Sequence, residues 1–137
     1  MDDDLIARSK ASYDAFNRAD NEGALRFIHP EIEWRTYLVP GPGGGTYRGH
    51  DGVIQLWSDV RNVFDDYRNE AEQFFARDNR VVAFVRFSGR GRESGVDVEA
   101  RLAHLFEFEG GLVRRVRTYE DRQQALAAAG ISVGQQP

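Results

Sequence analysis

From Asp66 onward the chain reads as a succession of strands separated by clusters of turn-forming residues. Residues 67–77 and 80–89 flank Asp78-Asn79, a pair that tolerates the positive φ of a two-residue hairpin turn. Residues 91–95 make the next turn, 96–108 the next strand, Glu109-Gly110-Gly111 a further turn and 112–120 the last strand. Parallel neighbours need a crossover of about a dozen residues or more, which these short links cannot supply. The segment therefore predicts an antiparallel meander.

What precedes it reads as mostly helical. Leu5, Ser9, Ser12, Tyr13 and Phe16 recur at three- and four-residue spacing behind three aspartates suited to a helix N-terminus, predicting a helix over 4–18. Asp20-Asn21 breaks and caps, and a short second helix carries Leu25 and Phe27. It should stop at His29, because a residue before proline is pushed out of the helical region. Residues 31–38 alternate like a strand buried on one face. Pro40-Gly41-Pro42-Gly43-Gly44-Gly45 suits neither helix nor strand and is expected to be a mobile loop. Val53, Ile54, Leu56, Trp57, Val60 and Phe64 draw a broad apolar face for a third helix ending near Phe64. Asp121-Arg122-Gln123-Gln124 has a capping-box spacing and opens an alanine-rich helix that Gly130 closes. Helices followed by a meander predict an α+β fold with the helices on one face of a curved sheet.

At 137 residues the chain has the size of one domain, which excludes a separate nucleotide-binding half. The expected division is 1–65 mostly helical with one strand, 66–120 the meander and 121–130 the terminal helix. A net charge of -4 without long runs of like charge argues against nucleic acid as a partner. The absence of cysteine excludes disulfides, thiolate zinc and a thiol nucleophile. With no long apolar run and an acidic Met1-Asp2-Asp3-Asp4 start, no membrane partner and a cytoplasmic location are expected.

Alternation also sorts side chains by face. On the strand over 96–108, Val98, Ala100, Leu102, His104, Phe106 and Phe108 form an apolar set with one histidine and should face the enclosed side. Arg86, Glu99 and Arg101 then fall on the outer face as part of a charged ladder. The Asp78-Asn79 turn would put Glu70 and Glu72 on the same face as Val85 and Phe87, where a buried carboxylate could act as acid or base. The last strand has two readings. A three-residue turn at 109–111 sets Val116 opposite His104 and turns Arg114, Val116, Thr118 and Glu120 inward, whereas a two-residue Gly110-Gly111 turn points Arg117 and Tyr119 in.

Four segments, Asp-Ala-Phe-Asn-Arg-Ala-Asp at 14–20, His-Pro-Glu-Ile-Glu-Trp at 29–34, Tyr-Arg-Gly-His-Asp-Gly-Val at 47–53 and Tyr-Glu-Asp-Arg-Gln-Gln-Ala-Leu at 119–126, resemble the SnoaL-like group of the nuclear transport factor 2-like superfamily. The resemblance implies a cone, the cystatin-like α+β barrel: a strongly bent antiparallel sheet wrapped around N-terminal helices that close a pocket. It also favours the three-residue turn in the last strand. Relatives include ketosteroid isomerase, limonene epoxide hydrolase, scytalone dehydratase and polyketide cyclases, beside members that only bind or assemble. By that resemblance the isomerase's phenol falls at Ser12, beside Tyr13, its carboxylate base at or next to Thr36, its acid donor at His104 and its supporting tyrosine at Trp57. The epoxide hydrolase's charged trio would require charged residues at His104, Leu102 and Thr118, and Leu102 removes it. The cyclases' histidine falls at His104, but their aspartate falls at Thr118.

His104 is therefore the sharpest candidate for proton transfer, with Glu120 and Glu72 as its carboxylate partners. The expected ligand lining is Ser12, Tyr13, Phe16, Trp34, Thr36, Trp57, Val85, Leu102, Val116 and Thr118. The competing reading of His104 is a neutral core residue bonded to helix backbone or to Tyr13. His29 and His50 are expected to be capping or loop residues, and neither metal nor cofactor is expected. Two functions remain open: a pocket for an apolar or aromatic small molecule with cofactor-free isomerase, cyclase or dehydratase chemistry, or a non-catalytic homodimeric module assembled through the outer sheet face.

Overall fold

A computed structural model describes residues 2–38 and 45–132. Helix α1 (Asp2–Asn17) turns Leu5, Ile6, Ser9, Tyr13 and Phe16 toward the sheet, and the Ser9 hydroxyl inside this buried face donates to the Leu5 carbonyl at 2.9 Å. Asp20 caps α2 (Asn21–Leu25) by accepting from the Gly23 N–H at 2.9 Å. Strand β1 (Ile28–Arg35) begins earlier than the alternation suggests, so His29 and Pro30 lie in a strand and not at a helix end. The extended conformation that proline imposes on its predecessor suits that strand. Pro30 also lacks an N–H for the ladder, and the pairing register shifts between Ile28 and Glu33. Most of the glycine–proline stretch, residues 40–44, lies outside the described residues.

Strand β2 (Thr46–Arg48) is too short to show an alternation. Helix α3 (Gly49–Val63) buries Val53, Leu56, Trp57 and Val60. The meander follows as β3 (Phe64–Arg77), β4 (Arg80–Gly91), β5 (Asp97–Glu109) and β6 (Leu112–Tyr119), and α4 (Arg122–Ala129) ends the described fold. Asp121 caps α4 by accepting from Gln123 and Gln124, and Gly130 closes it at φ 72°. The sheet order is β2-β1-β6-β5-β4-β3. All neighbours are antiparallel except β1 and β6, which the intervening chain allows to run parallel. The sheet curls without closing, as an α+β cone of the cystatin-like kind.

Its concave face holds the main core, where α1 and α3 pack on Val81, Ala83, Val85, Phe87, Leu102, Phe106 and Val116. The convex face is less uniformly charged than the alternation suggests. Helix α4 lays Ala125, Leu126 and Ala129 over Val82, Ala103 and Leu105, forming a second apolar cluster. Beyond α4 the charged ladder runs in register, with Arg86 opposite Arg101, Arg86 bonded to Glu70 at 3.0 Å and Arg90 to Asp97 at 3.3 Å. Half-exposed pairs of this kind contribute about 1 kcal/mol at most.

Since α4 alone covers the second cluster, its N-cap matters to more than one turn. Asp121→Ala is expected to lower stability by about 1 kcal/mol, measured as a shift in the urea midpoint with unchanged slope.

Candidate functional site

Three elements meet at one small cavity. Helix α1 brings Ser12, Tyr13 and Phe16, α3 brings Leu56, Trp57 and Val60, and the sheet brings Trp34, Asn69, Phe87, His104, Phe106 and Thr118. Ile28, Thr36 and Leu38 complete the lining, and the void measures about 40 Å³. That is enough for a few water molecules, since one needs roughly 10–15 Å³ on this measure. Of the expected lining residues, Val85, Leu102 and Val116 do not reach it. Each is almost fully buried in the core beside it.

His104 is 3 % exposed and packs among Tyr13, Trp34 and Phe106, with ring centroids 5.8, 6.1 and 5.8 Å away. Its Nδ1 lies 2.6 Å from Tyr13 Oη. In the tautomer with the proton on Nε2, the phenol donates to Nδ1. Burial pushes the imidazole down to about 4, and it pushes the Tyr13 phenol well above its ordinary value. Both are therefore neutral at pH 7.

Thr118 stands directly opposite His104 across the β5–β6 ladder. The route to that register corrects the expected turn. Glu109 pairs with Leu112, so Gly110-Gly111 is a two-residue turn, and both glycines have positive φ. A bulge between the Glu107 and Phe108 pairs then adds one residue to β6 and restores Val116 and Thr118 to the inner face. Val116 pairs with Phe106, not His104.

A second bulge, in β3, overturns the placement of Glu72. The pairs Ala71–Val85 and Gln73–Phe84 leave Glu72 as the extra residue, and Glu70 pairs with Arg86 on the convex side. Glu72 instead meets Arg122 at 2.7 Å. The hydrogen bond from that guanidinium holds its carboxyl below the usual carboxylate range. Glu120 lies one residue beyond the end of β6, is exposed and does not line the cavity, although its charge helps raise the Tyr37 phenol, mainly raised by burial. Neither carboxylate lines the cavity beside His104, and no carboxylate is among the described lining residues.

Instead the cavity has uncharged polar atoms without partners. Trp57 Nε1, Asn69 Oδ1 and Thr118 Oγ1 are buried and unbonded among the described residues, and all three belong to lining residues. Asn69 escaped the sequence reading because the β3 bulges break the alternation that would have assigned its face. Phe87 and Phe106, by contrast, share a face with Val85 and His104 and were legible. His29 accepts from the Glu31 N–H and pairs with Glu109, while His50 bonds the Ile28 carbonyl, so both serve the backbone around β1. Among the described residues no three His, Cys, Asp or Glu side chains are grouped to hold a metal ion, and no helix is long and apolar enough to cross a membrane.

The family model of the SnoaL-like domain matches residues 10–116. The chain belongs to the SnoaL-like family. No curated protein matches it. Among solved structures it is similar to an NTF2-like protein of unknown function from Burkholderia pseudomallei K96243, at 23 % identity and TM-score 0.78 over 92 % of this chain and 97 % of that one. It is also similar to TerC co-crystallised with polyporic acid, at 26 % identity and TM-score 0.77 over 92 % and 97 %. A third is a protein of ketosteroid isomerase-like fold from Catenulispora acidiphila DSM 44928 in complex with trimethylamine, at 12 % identity and TM-score 0.73 over 95 % and 97 %. The fold commonly binds small molecules and can act as a cyclase or isomerase.

The lowered His104 value has a consequence for stability. Between about pH 4 and 6.5 the unfolded chain binds a proton at this residue and the folded chain does not, so stability falls as pH drops through that window. The contribution lost is on the order of 3 kcal/mol. His104→Gln, which cannot titrate, should show a correspondingly flatter dependence of melting temperature on pH between 6.5 and 4.

Proposed function

We propose that this protein binds a small, uncharged, mainly apolar molecule carrying oxygen substituents in the cavity around His104. The observation that carries this reading is the lining: aromatic walls, a neutral Tyr13–His104 pair and three unpartnered polar atoms, with no charged side chain among them. A buried polar group without a partner costs about 1–3 kcal/mol, and a ligand offering an acceptor to Trp57 and a donor or acceptor to Thr118 would recover that cost. An ion would find no counter-charge. The small molecules in the TerC and Catenulispora acidiphila structures agree with a binding role for this fold.

Isomerase, cyclase or dehydratase chemistry here would rest on the Tyr13–His104 pair. Without a carboxylate, and with His104 pushed to about 4, this pair is suited to hydrogen-bonding a ligand oxygen more than to taking up a proton at neutral pH. Binding is thus the primary function in this reading. The test is thermal and calorimetric titration with phenol, a neutral ring with one oxygen. Thr118→Val should raise the stability of the free protein by about 1 kcal/mol and weaken phenol binding several-fold. A variant that loses stability and binds phenol as the native chain does would overturn the reading.

The convex face supports a second role. Arg101 stands opposite Arg86, and no ion pair to it is formed among the described residues. A homodimer would oppose these arginines to Asp97 and Glu99 of a second copy. Sedimentation velocity should then give a dimer that Arg101→Glu dissociates, and a monomeric native chain would exclude this role.

A further inference from the structure

Tyr13 and Asn69 each line two spaces. One is the cavity, and the other is a groove of about 330 Å³ between α1 and β3, bordered by Lys10, Asp14, Arg68 and Ala71 among others. These two side chains are therefore the partition between them. The strand at the partition is irregular, because Asn69 lies between the two bulges of β3. The Asn17 side chain acts there as a substitute strand, donating to the Asn69 carbonyl at 2.8 Å and accepting from its N–H at 3.1 Å. With its backbone thus occupied, Asn69 is 9 % exposed and its Oδ1 has no partner among the described residues. A buried acceptor of this kind is rare without a function or a bound donor.

The cavity by itself is far smaller than the roughly 300–1,000 Å³ of ordinary ligand sites, whereas the groove beside it is at the lower end of that range. The groove's charges balance. Lys10 and Arg68 set two positive charges on its border against Asp14 and Glu70, the latter shared between Arg68 at 3.6 Å and Arg86 at 3.0 Å. Such a rim offers both donors and acceptors, and an anionic or cationic group there would face one like charge for each opposite one. Uncharged hydroxyls can use both.

We infer that the α1–β3 groove is an outer subsite of the cavity, for a ligand whose ring lies against His104 and whose hydroxylated arm passes between Tyr13 and Asn69. The arm donates to Asn69 Oδ1 and ends among Lys10, Asp14 and Arg68. Its passage requires Tyr13 to turn away from His104, and a ligand oxygen takes the place of the phenol at Nδ1. The ligand class is an aryl or alicyclic compound with a polyhydroxylated substituent, of which an aryl glycoside is the simplest form. This inference rests on the reading that the cavity binds a small molecule.

The experiment compares phenol, phenyl β-D-glucopyranoside and phenoxyacetate, each titrated against the native chain and followed by the fluorescence of Trp34 and Trp57. The glucoside is expected to bind at least about tenfold more tightly than phenol, a difference of about 1.4 kcal/mol, and more tightly than phenoxyacetate. Asn69→Leu should abolish that advantage, and so should Ala71→Phe, which fills the groove from a residue outside the cavity lining and leaves phenol affinity within about twofold. Lys10→Ala, at an exposed position, should weaken the glucoside by about threefold. A glucoside no tighter than phenol, an advantage that survives Ala71→Phe, or phenoxyacetate as the tightest probe overturns the subsite while phenol binding keeps the cavity reading. If none of the three probes binds, both fall.

Discussion

A strand cannot move its side chains from one face of a sheet to the other without gaining or losing a residue, and the arrangement around His104 depends on where this chain gains them. The bulge in β6 returns Thr118 to the concave face after a turn that would have sent it outward. The bulge in β3 sends Glu70 and Glu72 to the convex face, where they neutralise Arg86 and Arg122. One insertion thus supplies the cavity with a hydroxyl, and the other deprives it of a carboxylate.

What results is a site whose chemistry is defined by neutrality. Burial that would be costly for an ion is tolerable for Tyr13 and His104 because each satisfies the other at 2.6 Å. The unpartnered atoms of Trp57, Asn69 and Thr118 surround this pair as parts of the same lining. Outside, the charges are numerous but mostly paired. Arg122 links the two regimes: it bonds Glu72 at 2.7 Å, lies 4.9 Å over the Phe84 ring and donates to the carbonyls of Val85 and Leu102, whose side chains are buried in the core on the other face. The helix it opens covers the apolar cluster of Val82, Ala103 and Leu105 on the convex face.

Much of this was legible residue by residue. The spacing of Leu5, Ser9, Tyr13 and Phe16 locates α1 and its buried face, because helical periodicity does not depend on the partner that covers it. The Asp78-Asn79 turn and the alternation from Leu102 to Phe108 locate His104 on the inner face for the same local reason. Its Tyr13 partner was one of two expected possibilities. Glu72 was misplaced because a bulge has no reliable signature in the alternation it interrupts. The β6 turn was misread as three residues, yet the inner face of Val116 and Thr118 came out correctly because the bulge supplies the parity shift that the turn does not. Asn69 was missed because it lies between two irregularities, where neighbouring residues carry no information about its face.

By itself the sequence determined the types of the long elements, though not β2 or the start of β1, together with the order of the meander, one buried histidine among apolar neighbours and the lack of cysteine chemistry, all of which follow from local spacing and residue type. Only the tertiary structure decided that β1 runs parallel to β6, that α4 shields Val82, Ala103 and Leu105 on the convex face, that Val85, Leu102 and Val116 are core and not lining, and that both candidate carboxylates stay outside the cavity. The reason is common to all four. Each depends on registers and contacts between segments distant along the chain, and a single inserted residue, invisible to any local pattern, changes the side of the sheet on which a side chain meets its partners.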